Sequence, residues 1–99
     1  MNSVLKQNKE TPRETPENFV IEFEKNLKTM NLKDADLTMK KLKFLGLNFD
    51  PFAPEISEEC QQIMDNLGLT EHLKNPYQAT NILLRLLDKT EERVNNLKQ

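Results

Sequence analysis

Cys60 and His72 are the only thiol and the only imidazole in the chain, and they stand twelve positions apart. A structural zinc site takes four protein ligands and a catalytic one at least three, so this inventory falls short of either. Cys60 also falls on the apolar side of a helical pattern, where a thiol serves as a small hydrophobe. His72 would act as its base only if the fold joined them, and no third group or oxyanion donor can be named to complete a nucleophilic site. Glu58 and Glu59 stand in the first turn of a helix, where negative charge suits the helix dipole, so a structural role is preferred to a catalytic carboxylate pair. These residues lead to a non-catalytic reading with no catalytic residue, metal or cofactor assigned.

Charge is the next candidate. Lys25, Lys28, Lys33, Lys40, Lys41 and Lys43 cluster against only Asp34 and Asp36, whereas residues 44–73 hold six acids and neither Lys nor Arg. Neighbouring helices with complementary faces account for this segregation, and so does a bipolar surface that orients a partner. An alternative function follows from the same lysines. Lys33, Lys40, Lys41 and Lys43 could meet phosphates, and a short helix ending at Gly46 could belong to a helix-turn-helix, making a nucleic-acid-associated accessory or regulatory protein. Against it, no arginine lies between Arg13 and Arg85 and the net charge is −2. Bidentate phosphate and guanine contacts favour arginine. Thr11-Pro12 and Thr15-Pro16 are two candidate proline-directed phosphorylation sites, the second at a helix N-terminus where added negative charge is favourable.

Ninety-nine residues suit one domain, and 36% hydrophobic against 30% charged residues limits it to a small core. Two glycines are too few for a Gly-rich phosphate loop, and a single cysteine excludes an internal disulfide framework. The first ten residues lack the apolar run of a secretory signal, and no segment approaches the ~20 apolar residues of a membrane span. The expectation is a soluble, cytoplasmic protein that implies no small-molecule substrate.

Hydrophobic spacing predicts an all-α fold, a small four-helix bundle-like domain over 15–99 behind a flexible tail over 1–14. Thr15-Pro16-Glu17 reads as N-cap, first helical residue and first-turn acid of a helix near 16–31, carrying Phe19, Val20, Phe23, Leu27 and Met30. Asp34 is expected to cap a second helix, 34–45, with Ala35, Met39, Leu42 and Leu45 inward. A third, near 55–67 and opening at Pro54 or after Ser57, carries Ile56, Cys60, Ile63, Met64 and Leu67. Both are expected to stop at a Leu-Gly-Leu, where Gly46 and Gly68 take the left-handed conformation and the following leucine folds back. Phe49 and Phe52, in the Pro-rich loop between, are expected to plug the core, the alternative being an exposed aromatic recognition loop. One turn around Thr70–Leu73 precedes a long helix, 76–98, begun by Asn75-Pro76.

That last helix is more apolar than one face requires. Ala79, Ile82, Leu83, Leu86 and Leu87 fill an arc that Tyr77 and Leu84 widen, while Thr90, Val94 and Leu97 continue a narrow seam among charges. A helix of about 35 Å should overhang a second helix of ~18 Å. Tyr77, Leu84, Thr90, Val94 and Leu97 are therefore the expected partner-binding residues. The function expected from them is a protein-protein interaction module: an adaptor or accessory subunit of a larger assembly, bound to another protein or to itself through the C-terminal helix.

Overall fold

The computed structural model describes residues 15–99; the flexible-tail reading of 1–14, and the Thr11-Pro12 site within it, lie outside the described residues. Helices α1 (Pro16–Lys28), α2 (Leu32–Asn48), α3 (Glu58–Leu67) and α4 (Pro76–Lys98), with a 3₁₀ turn over Thr70–Leu73, account for the described elements, and no strand occurs among them. The fold is all-α, a four-helix bundle-like domain with a longer C-terminal helix.

Local chemistry sets most of the helix ends. The Thr15 hydroxyl accepts from the Asn18 N–H at 3.1 Å with Pro16 at the first helical position, and the Asn75 side chain accepts from the Tyr77 N–H at 2.9 Å ahead of Pro76. Ser57 caps α3 through the Cys60 N–H at 3.2 Å, so the helix begins at Glu58, the later of the two expected starts, and leaves Ile56 outside it, exposed. Its end is a Schellman motif: Gly68 has φ 73°, its N–H donates to Asp65 O at 3.2 Å, and the Leu69 N–H donates to Met64 O at 2.8 Å.

The second helix departs from the expectation at both ends. Asn31, not Asp34, caps it, accepting from the Asp34 N–H at 2.8 Å. Gly46 lacks positive φ, and the helix passes through it to Asn48. The Phe49 N–H still reaches Leu45 O at 2.8 Å. The chain then turns extended at Phe49, with ψ 123°, and Asp50, just before Pro51, is likewise kept from helical geometry. The result is 17 helical residues instead of about 12, or roughly 25 Å of helix.

Ion pairs show how the helices run. Arg85 meets Glu17 at 2.6 Å and Lys89 meets Glu24 at 3.3 Å, while Arg93 donates to the carbonyls of Lys28 at 3.1 Å and Met30 at 2.9 Å. Rising numbers pair with rising numbers, so α1 lies parallel to α4. The Arg93 guanidinium also satisfies carbonyls at the C-terminal end of α1, which stops at Lys28 instead of 31. After a three-residue turn, α2 returns antiparallel and packs along α4 more extensively than any other pair of elements. Ala35, Thr38, Leu42 and Leu45 of α2, and Leu83, Leu86, Thr90 and Val94 of α4, are all buried. Leu69 and Leu73, around the 3₁₀ turn, join Cys60 and Met64 in the same core.

The expected overhang of the last helix is therefore absent. Thr90 is 0% and Val94 1% exposed, and Leu97 is half-buried. The lengthened α2 covers them. Phe49 packs against the core as expected of a plug, but Phe52 is 64% exposed and does not.

Candidate functional site

The side of α4 turned away from the core carries Tyr77, Asn81, Leu84, Asp88, Glu91 and Asn95, spaced by three and four residues. Its first half is apolar at the surface: Tyr77 is 84% and Leu84 61% exposed. The Phe52 and Tyr77 rings meet in a T-shaped pair, with centroids 5.4 Å apart and planes at 79°. Beside Tyr77, an open groove of about 760 Å³ separates the starts of α1 and α4, lined by Pro16, Glu17, Tyr77, Asn81, Ile82 and Arg85 among others. The Arg85–Glu17 pair stands at this groove, and with Glu17 67% exposed it is solvent-screened and adds little to stability. Two turns farther along the helix the surface turns acidic, with Asp88, Glu91 and Glu92 together.

Of the five residues expected to bind a partner, the structure thus keeps Tyr77 and Leu84 at the surface, half-buries Leu97, and places Thr90 and Val94 inside the domain's own core. The Thr90 hydroxyl, aimed inward, donates to Leu86 O at 2.7 Å, so a buried polar group is satisfied without a partner chain. For Phe52 the alternative of an exposed loop aromatic holds, and the plug does not, because its placement depends on a loop conformation that spacing does not reveal. A second omission had a signal. Arg85, Lys89 and Arg93 recur every four residues, one edge of a helix, and each reaches α1 or the turn that follows it.

The lysines of the alternative reading do not share one face. Lys41 donates to Asn66 at 2.6 Å across to α3, Lys43 pairs with Glu91 at 3.6 Å across to α4, and Lys40 pairs with Asp36 at 3.1 Å within its own helix. Lys33 and Lys40 lie on the outward side of α2 with Leu37, Phe44 and Leu47. With Gly46 inside the helix and a Pro-containing loop beyond it, the short turn that a helix-turn-helix needs is not present there.

The chemistry-bearing residues are placed as follows. Cys60 is buried among apolar side chains, and His72 is buried with its ring stacked on Phe19 at 4.3 Å. Asp65 accepts from Thr70 at 2.6 Å and from Gln61 at 2.9 Å. These two bonds, the one from Thr70 first, hold its carboxyl below the usual aspartate range. They brace the junction between α3 and the 3₁₀ turn. Among the described residues, no three His, Cys, Asp or Glu side chains gather in a metal-binding arrangement, and no helix is long and apolar enough to cross a membrane. No protein-family model, curated protein or solved structure matches this chain.

Proposed function

We propose that this protein is a non-catalytic interaction module, a small adaptor or accessory subunit of an intracellular assembly that docks through the outer face of its C-terminal helix. One observation carries the reading: Tyr77, Leu84 and Phe52 stay exposed on the side of α4 that no other helix among the described residues covers. Single exposed apolar residues are ordinary on a small domain. Here an aromatic pair and a leucine two turns away lie along one stripe, beside a groove and above an acidic end. Aromatic anchors ringed by polar groups are the side chains that carry binding energy in protein interfaces. The docking residues on this reading are Tyr77, Leu84 and Phe52, and the core residues Thr90 and Val94 support the helix from behind.

The test is copurification from the native cell with wild type and with Tyr77→Asp/Leu84→Asp. The reading expects a protein retained by wild type, or self-association of the chain, to be lost in the variant while its circular dichroism spectrum is unchanged. An unchanged set of bound proteins and an unchanged oligomeric state would refute it.

A further inference from the structure

Charge is sorted across α4. Arg85, Lys89 and Arg93 recur along one edge, and all three are turned toward α1. They meet Glu17 at 2.6 Å, Glu24 at 3.3 Å, and the carbonyls of Lys28 and Met30 at 3.1 and 2.9 Å. The acids of the same stretch fall beside that edge, on the outward side, where Asp88, Glu91 and Glu92 line one open depression with Asn95 and Asn96. Glu91 meets Lys43 at 3.6 Å, while Asp88 and Glu92 form no ion pair among the described residues. The cations of this helix are thus held by α1, and its carboxylates are left to solvent.

This acidic end continues the apolar stripe. Along the axis, Asp88 lies about 6 Å and Glu92 about 12 Å beyond Leu84, and Tyr77 lies about 10 Å before it. The face is therefore apolar over one half, around Tyr77, Phe52 and Leu84, and negative over the other. Carboxylates repel the phosphates of nucleic acids and of anionic lipids, which leaves a protein chain as the occupant that suits both halves. Its apolar side chains would cover the aromatic pair and the leucine. Lysine or arginine beyond them would meet the carboxylates and lay apolar stems over the surface between.

We infer that this face receives a basic amphipathic segment of another protein, with one or two bulky apolar side chains against Tyr77, Phe52 and Leu84 and with Lys or Arg about 6–12 Å farther on, against Asp88, Glu91 and Glu92. The inference rests on the docking surface proposed above and names the chemistry of its partner.

Selection from displayed random peptides of about 18 residues, long enough to span ~27 Å as a helix, tests it on the purified full chain. Wild type should enrich Trp, Phe or Leu together with Lys or Arg. Asp88→Lys/Glu92→Lys should enrich the same apolar residues together with Asp or Glu. A peptide selected by wild type, followed by fluorescence anisotropy, should bind about tenfold more weakly to that charge-reversed variant and not measurably to Tyr77→Asp/Leu84→Asp. All four side chains are exposed, so both variants should keep the wild-type circular dichroism spectrum. Peptides without an excess of Lys or Arg, or no enrichment over the bare matrix, would overturn the inference. So would self-association of the pure chain that is lost on Leu84→Asp, which would seat a second copy there instead. Binding lost on Tyr77→Asp/Leu84→Asp but indifferent to charge reversal would leave the docking surface standing without its basic partner. Binding indifferent to both variants would overturn the docking surface as well.

Discussion

The two halves of the last helix present opposite exceptions to ordinary amphipathicity. From Tyr77 to Leu87 it has more apolar residues than its neighbours cover, and Tyr77 and Leu84 remain at the surface. From Asp88 to Lys98 it has few apolar residues, yet Thr90 and Val94 are fully covered. Apolar content along a helix therefore does not locate the free face. The length of the neighbouring helix does, because a narrow seam is buried wherever an antiparallel partner extends far enough to meet it.

The sharpest way to break this comparison is a charge in the seam. Val94→Asp buries an unpaired carboxylate and should destabilise by more than about 4 kcal/mol, most or all of what a domain of this size possesses. Circular dichroism should show an unfolded or barely folded chain; a native melting curve would mean that α2 does not cover this end. Leu86→Ala probes the centre, where both halves share the core. Its side chain is wholly buried, and denaturant titration should show a loss of about 2–5 kcal/mol.

The two glycines set up a paired test, since Gly46 lies within a helix and Gly68 ends one. Gly68, at φ 73°, should lose about 1–2 kcal/mol as Gly68→Ala. A Cβ on Gly46 meets nothing within 4 Å, and helical geometry makes Gly46→Ala a gain of about 0.5–1 kcal/mol. Equal signs in the two melts would contradict the assignment of one glycine as a stop and the other as a through-position.

The same tripeptide, Leu-Gly-Leu, thus has two outcomes, and the reason shows where reading from sequence runs out. After Gly68 the chain can turn at once because Leu69 enters the core, completing the backbone bonds to Asp65 and Met64. After Gly46 no core lies within reach of Leu47, and the first residue that can turn inward is Phe49. Caps at Thr15, Ser57 and Asn75 are local and legible, since one side chain and a nearby N–H decide them. A glycine stop depends on tertiary contacts of the residue that follows it. Placing the second stop at Gly46 and the cap at Asp34 shortened α2 by about a turn at each end, and the imagined overhang at Thr90, Val94 and Leu97 came from the second of these, at the end that antiparallel packing sets beside the C-terminal half of α4. The functional face was half legible: excess apolar residues pointed to Tyr77 and Leu84, but Phe52 joins them only through loop geometry.

A smaller effect concerns the junction that Gly68 creates. The Asp65 carboxyl titrates lower in the fold than in the unfolded chain because Thr70 and Gln61 bond its charged form. The unfolded state therefore binds more protons in acid. The contribution is complete above the unfolded value of about 3.9 and is lost as pH falls through the folded one. Asp65→Asn should remove this part of the acid limb, seen as a shallower fall in melting temperature below about pH 4; an identical limb would show that the two bonds do not persist in solution.

One stability measurement separates the two halves of the helix most directly, the thermal melt of Leu84→Asp in dilute solution beside that of Val94→Asp. Leu84 is 61% exposed and Val94 1%, so the first variant should melt within about 4 °C of wild type while the second loses its transition. If Leu84→Asp unfolds the dilute monomer as well, the outer face of α4 belongs to the domain's own core, and no docking surface exists there.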